Sequence, residues 1–551
     1  MKKINVPYLF LILLTYITAI CAEAPQLTIV VVFDQCALRN LEKTRPYLKG
    51  GLRFLVDEGI YYTQAHTPYA WPATGPGHAT LNTGTVPATH GIINNAWANQ
   101  KYERVNCDDD TAERAAVFGP NGLLDYGKSP HYIMVDGISD QLVMQKQQHK
   151  NYNVFAVSGK SRSAICAANK LGKAIWLDPK TGMFTSSKAY YNELPSWLKN
   201  FNARKKIKNQ KYIWQLQHGC LPAAYRFANA HNYKGTQAGK TMINRSFCLS
   251  EKNKQHEEFM QTPQANQLVF DAALACIDEH FCKCNSDEKM LLWVLPSALD
   301  KLGHSYGSDS IEVIDMIYHF DRQLKKFMDC VNTKTRKRNI LWAMTSDHGI
   351  CPIPEQLRDE GYFSARRIMG PEIIKQLNTH IKAKFDLENV AIFLNGSNLY
   401  VNDPLLKSLE KKKRKEIKKE IKSFICKQPG IKQIWTLKEL QKLYLPPGSI
   451  ESYFKNQLFA GRSSSFIVQS YPYNYVTRHP KGTGHRSPYE YDTHIPLIIY
   501  QRANYQRKVI HERVTNTQFA PTLAHILEAP RPSASTADIL PGIIFKEDPC
   551  F

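Results

Sequence analysis

The sequence predicts an α/β fold, a three-layer α/β/α sandwich around a mostly parallel central sheet. Two patterns lead there. Five short runs, at 28–33, 154–157, 291–295, 340–344 and 495–500, are dense in Val, Ile, Leu and aromatic residues without polar alternation, as strands buried on both faces of a parallel sheet should be. Between them lie helical patterns. The clearest spans 311–331, where Val313, Ile317, Phe320, Leu324, Phe327 and Val331 recur on one face and Asp309 or Ser310 is available as the N-cap. Strands alternating with helices put helices on both faces of the sheet.

Two stretches interrupt the alternation. Residues 190–265 are rich in Lys, Asn, Gln and aromatics. Residues 361–475 carry a Lys- and Glu-rich segment, the Pro446-Pro447-Gly448 turn and several tyrosines. Both read as insertions capping the sheet of a single catalytic domain that runs over 22–551. There is no internal repeat.

With 551 residues, 43% of them apolar and 22% charged, the chain can bury a large core and is not disordered as a whole. The formal net charge is +22, concentrated in 204–211 and 407–422. Leu and Ile recur through the second run at helical spacing, so it reads as the solvated face of an amphipathic helix. No aromatics lie between its charges, and no specific nucleic-acid partner is expected; positive potential favours anionic substrates instead.

At the N-terminus, Lys2 and Lys3 precede an apolar run from Val6 to Ile20, and Ala19, Cys21 and Ala22 are small. This is the pattern of a signal peptide over 1–21, cleaved near Ala19-Ile20-Cys21. The run is shorter than the ~20 residues of a spanning helix. The expected mature chain therefore has no transmembrane span and is periplasmic or secreted. Of the 13 cysteines, Cys21 lies at the cleavage site. The even number that remains in an exported chain is compatible with disulfides; Cys276, Cys282 and Cys284 are the nearest local candidates. No pair of C-x-x-C elements suggests a cysteine-rich zinc site.

Polar residues follow the apolar runs in turn: Asp34 after the first, Lys160 and Arg162 after the second, Asp300 after the third, and Asp347-His348 after the fourth. Open α/β sheets bind ligands outside the carboxyl ends of their strands. Asp300 and His304, four apart, would share one side of a helical turn. His485 follows Gly482-Thr483-Gly484, where small residues allow a close backbone approach. Thr74, in Trp71-Pro72-Ala73-Thr74-Gly75-Pro76-Gly77-His78, opens a helix of small residues. It is either a plain N-cap or a nucleophile placed where unpaired N–H groups attract a phosphate. One hydroxyl, three carboxylates and three imidazoles form the inventory of a two-metal phosphoryl-transfer site with a covalent nucleophile. His78, His90 and His494 also lie near these segments and receive no ligand role.

The elements Val31-Val32-Phe33-Asp34, Thr74-Gly75-Pro76-Gly77-His78, Thr83-Gly84, His90-Gly91-Ile92 through Asn95, Ser346-Asp347-His348-Gly349 and Gly484-His485 resemble the alkaline phosphatase superfamily and occur in its order. The PafA-type bacterial alkaline phosphatases, related to the type I phosphodiesterase/nucleotide pyrophosphatases, are the nearest branch. The resemblance implies an alkaline-phosphatase-like fold and two zinc ions, one held by Asp300, His304 and His485, the other by Asp34, Asp347, His348 and the Thr74 oxygen. N and O donors suit zinc. It further implies that Thr74 is the nucleophile, passing through a phosphothreonine. Asn95, Lys160 and Arg162 would contact the phosphoryl oxygens. The Cys/Ser-x-Pro-x-Arg signature of sulfatases has no match. Two cations at Lys160 and Arg162 favour a dianionic group, hence small-molecule phosphate monoesters; a phosphodiesterase or nucleotide pyrophosphatase on the same metal core is the alternative.

Overall fold

The computed structural model describes residues 24–543, except 146–151, 205–210, 220, 230–233, 238, 249–256, 284–287, 336–338 and 503. The signal peptide expected over 1–21, Cys284 and most of the basic run 204–211 lie outside the described residues. Seven strands build most of a ten-stranded sheet: β1 (Leu27–Val32), β2 (Ile60–His66), β3 (Tyr152–Ser158), β4 (Lys173–Leu177), β5 (Lys289–Leu295), β6 (Ile340–Thr345) and β7 (His494–Gln501). Their spatial order is β2-β7-β6-β1-β5-β3-β4, with short strands extending both edges. The run β6-β1-β5-β3-β4 is parallel throughout.

All of β1 is buried, and its residues divide by alternation. Leu27, Ile29 and Val31 enter the core on one face, while Val30 and Val32 enter the core on the other. Four helices pack on these faces: α1 (Thr74–Thr83), α2 (Ser161–Ala168), α3 (Ala298–Tyr306) and α4 (Ile311–Lys334). α3 and α4 cover the first face through Leu302, Val313, Ile317, Phe320 and Leu324. α1 and α2 cover the second through Leu81, Ala164 and Ile165. Ser310, not Asp309, caps α4, accepting from the Val313 amide at 3.2 Å. Asp309 instead pairs with Arg39 at 3.1 Å and Lys43 at 2.7 Å.

One expected strand direction is corrected. The 495–500 run forms β7, which pairs antiparallel with both β6 and β2. An apolar run buried on both faces carries no direction, since an interior antiparallel strand is covered just as fully as a parallel one. The reversal has a consequence: β7 begins where its parallel neighbours end, so the segment entering it, with His485, arrives at the same edge as Asp34, Asp300 and Asp347.

Within 361–475, four strands form a separate antiparallel sheet in the order Ala391–Asn395, Asn398–Val401, Phe466–Ser470, Ile431–Thr436. The basic segment forms α5 (Lys411–Cys426), which buries Ile417, Ile421 and Ile425 and leaves Lys411, Lys412, Lys415 and Lys419 exposed. These isoleucines join a core of their own with Leu377, Leu399 and Phe466. The 190–265 stretch packs onto α4 through buried Asp315, which accepts from the Trp214 indole at 2.7 Å and the Tyr225 hydroxyl at 2.6 Å. Cys276 is a buried thiol. Cys107 and Cys166 are buried thiols in one cluster with Ala79 of α1. Among the described residues, no helix is long and apolar enough to cross a membrane.

Candidate active site

The carboxyl ends of β1, β5 and β6 and the loop before β7 converge. Two groups of potential metal ligands result, Asp300/His304/His485 and Asp34/Asp347/His348, each with its ligand atoms within 4.8 Å of one another. In the first, Asp300 Oδ1 lies 3.2 Å from His304 Nε2 and 3.7 Å from His485 Nε2. One turn of α3 accounts for the Asp300–His304 spacing. In the second, His348 Nε2 lies 3.5 Å from both Asp34 Oδ1 and Asp347 Oδ2. The groups adjoin: His348 and His485 stack with ring centroids 3.8 Å apart.

The backbone sets each imidazole. His304 Nδ1 donates to the Thr483 carbonyl at 2.8 Å, His348 Nδ1 to the Gly349 carbonyl at 2.9 Å, and His485 Nδ1 to the Pro72 carbonyl at 2.6 Å. A carbonyl only accepts, so each Nδ1 carries the proton and each Nε2 keeps a lone pair for a cation. Burial holds His348 and His485 below the usual imidazole range, and neighbouring imidazoles push His485 further down. Neutral imidazole is the ligating form.

Buried Asp34 Oδ1, Asp347 Oδ2, His348 Nε2 and Thr74 Oγ have no hydrogen-bond partner among the described residues. Such orphans are costly. Three of them belong to one ligand group, and a divalent cation would satisfy that group. The donor set, carboxylates and imidazoles without thiolate, fits zinc. Among the described residues, the ammonium in direct contact with these carboxylates is that of Lys160, which hydrogen-bonds Asp34 at 2.6 Å and also bonds Asp300. Burial opposes ionisation of Asp300, but Lys160 and His304 hold it well below the usual carboxylate range. Asp34 is pushed up by burial and by the nearby Asp347.

Thr74 is the first residue of α1, after Ala73 in extended conformation, and α1 has no side-chain cap. The plain N-cap reading therefore fails, because the hydroxyl bonds to nothing among the described residues. Gly77 lets α1 approach: a Cβ there would lie 2.5 Å from Asp347 Cβ. His78 Nδ1 donates to the Thr74 carbonyl at 2.8 Å and lies 3.4 Å from Asp347 Oδ2. Asn95 Oδ1 accepts from the Gly75 amide at 2.7 Å, which fixes its Nδ2 as the donor end. Arg162, in the first turn of α2, has a buried Nε with no hydrogen-bond partner among the described residues. Positive charge surrounds the site. Lys301 is pushed down to about 8 by burial and by Lys160 and Arg162, and Arg486 feels Arg104 and Arg162.

The order of these elements along the chain matches known proteins. Residues 28–495 fit the sequence pattern described as type I phosphodiesterase / nucleotide pyrophosphatase. The chain belongs to that family. Relatives of this phosphodiesterase/pyrophosphatase-family member include alkaline phosphatase PhoV of Synechococcus elongatus, 27% identical over 531 residues, which cover 94% of this chain and 93% of PhoV. Alkaline phosphatase PafA of Elizabethkingia meningoseptica is 25% identical over 535 residues, 94% of each chain. The crystal structure of wild-type PafA superposes with a TM-score of 0.82 at 24% identity, covering 95% of this chain and 100% of that one. The fold is PafA-like, as the motif resemblance implied.

Two residues of this family member escaped the sequence reading. Gln35, at φ 72°, donates its amide N–H to Asp347 Oδ1 at 3.0 Å and its Nε2 to Asp300 Oδ1 at 2.7 Å, so it orients a carboxylate in each group. Arg486, at φ 97°, stands beside His485. Adjacency to Asp34 and His485 was the only signal available. His90 and His494 are structural: His90 bonds Thr80 at 3.1 Å, and His494 bonds the Thr63 carbonyl at 2.9 Å while stacking on His66.

Proposed function

We propose that this protein is an exported, zinc-dependent alkaline phosphatase that hydrolyses small-molecule phosphate monoesters through a phosphothreonine at Thr74. The observation that carries the reading is the buried Thr74 hydroxyl, without a hydrogen-bond partner among the described residues and at the head of a helix packed on Asp347. The names of PhoV and PafA support it.

Asp300, His304 and His485 would hold one zinc ion, and Asp34, Asp347 and His348 with the Thr74 oxygen the other. When bound, such ions neutralise developing charge and lower the pKa of an attached oxygen. Thr74 Oγ attacks phosphorus, the bond from phosphorus to the alcohol oxygen breaks, and the alcohol leaves. Water then cleaves the phosphothreonine, releasing phosphate and restoring the hydroxyl. Lys160, Arg162 and the Asn95 Nδ2 donate to the non-bridging oxygens, which is worth most for a dianion.

Thr74→Ala should lose hydrolysis of phenyl phosphate while keeping its zinc, and EDTA should abolish parental activity until zinc is restored. A Thr74→Ala protein as active as its parent would end the reading. The family's description favours a second reading, a phosphodiesterase or nucleotide pyrophosphatase on the same residues. A higher kcat/KM for methyl phenyl phosphate than for phenyl phosphate would decide for it. Export is supported by the Lys2-Lys3 head and the apolar run behind it; a mature N-terminus upstream of Ala19 would contradict it.

A further inference from the structure

Resting on the phosphatase reading above, we propose that the cavity beside Asn95 is a leaving-group site for monoesters whose alcohol part is aromatic and carries a second anionic group. The cavity encloses about 520 Å³ and begins at Asn94 and Ala96, the two neighbours of Asn95. Its volume lies in the range of small-molecule sites. Asn95, whose Oδ1 accepts from the Gly75 amide beside Thr74, links this space to the proposed phosphoryl site, and in the proposal the alcohol occupies it.

Its walls are aromatic. Trp97 comes from the segment after Asn95, while Phe393 and Tyr400 come from the second sheet. Phe393 and Tyr400 stack with centroids 4.3 Å apart and planes 27° apart, presenting ring surface to a planar guest. Two guanidiniums, Arg104 and Arg478, complete the lining. Arg104 Nε donates to Asn106 Oδ1 at 3.2 Å and Arg478 Nε to His479 Nε2 at 3.4 Å. Neither forms an ion pair with a carboxylate among the described residues, unlike Arg39, Arg245, Arg367 and Arg507. Aromatic walls with two cations that lack anionic partners are complementary to a planar group bearing a carboxylate or phosphate. An alcohol such as glycerol would leave both features unused.

The test uses the zinc-loaded full chain and three substrates: phenyl phosphate, 4-carboxyphenyl phosphate and glycerol 2-phosphate. In the Arg104→Gln/Arg478→Gln double variant, the kcat/KM ratio of 4-carboxyphenyl to phenyl phosphate should fall about fivefold from its parental value. Comparing ratios between proteins cancels the difference in leaving-group acidity. In Phe393→Ala, both aryl substrates should fall about fivefold relative to glycerol 2-phosphate. Competitive inhibition by 4-hydroxybenzoate, the alcohol itself, should weaken in the double variant. An unchanged ratio, or an equal loss on all three substrates, overturns the proposal while leaving the phosphatase reading standing. A parent that turns over none of the three ends both.

Discussion

Replacing Gly77 with alanine tests whether the approach of α1 to Asp347 sets the reaction geometry. The added Cβ would lie 2.5 Å from Asp347 Cβ, 2.7 Å from its carbonyl oxygen and 2.9 Å from its Cα. Carbon atoms are at ease at about 3.5–4.0 Å, so the two segments must part by about 1 Å. The atoms in the way are backbone and Cβ, which no rotamer change can clear. Overpacking of this kind costs about 1–3 kcal/mol. Thr74 sits one turn before Gly77 and moves with it, and a 1 Å displacement of a reacting group costs about 100-fold in rate. We expect Gly77→Ala to fold and bind zinc but to hydrolyse phenyl phosphate with kcat lowered about 100-fold, with a melting temperature only a few degrees lower. Steady-state kinetics with metal content measured on the same sample decides it. A folded, zinc-replete variant within about threefold of the parental kcat would refute the reasoning from displacement to rate.

Other outcomes rest on the same geometry. Gln35→Leu removes the donor to Asp300 and should weaken zinc binding about 10–100-fold in chelator competition. Arg162→Ala should lower kcat/KM for phenyl phosphate about 10–100-fold more than for methyl phenyl phosphate; equal losses would deny it a role in reading a dianion. Asp309 is nearly buried, yet Arg39 and Lys43 pull its carboxyl down to about 2 from an ordinary 3.8. Because its folded pKa is depressed, the stability it adds is full above about pH 4 and is lost as pH falls toward 2. After screening at the partly exposed cations this amounts to about 1–2 kcal/mol. Denaturant melts of metal-free parent and Asp309→Asn should therefore converge across that window.

The convergence of the candidate residues was largely legible because they follow apolar runs whose burial is itself legible. Asp34, Asp300 and Asp347-His348 stand at strand exits, and the Asp300–His304 spacing is one helical turn. Convergence at one edge then follows from a parallel sheet. The direction of β7 was not legible, since burial on both faces is blind to polarity; yet that direction is what delivers His485. Nor could spacing decide whether Thr74 caps its helix. Its hydroxyl is left free because Ala73, not Thr74, takes the capping position, which depends on where the chain enters α1. Gln35 acts through contacts with residues 265 and 312 positions away, and Arg104 and Arg478 meet only across the cavity. Such pairings are properties of the tertiary fold and leave no local period. The antiparallel sheet within 361–475 pairs Asn398–Val401 with Phe466–Ser470, far apart along the chain, a pairing that likewise leaves no local signal.

The claim at the centre is that Thr74 itself takes the phosphoryl group. Acid quenching of zinc-loaded enzyme during turnover of phenyl phosphate, followed by peptide mass spectrometry, measures this directly. The account predicts a phosphoryl group on the Thr74 side chain in the parent and none at that peptide in Thr74→Ala. Turnover with no phosphoryl group trapped at Thr74, together with undiminished hydrolysis by Thr74→Ala, would contradict it.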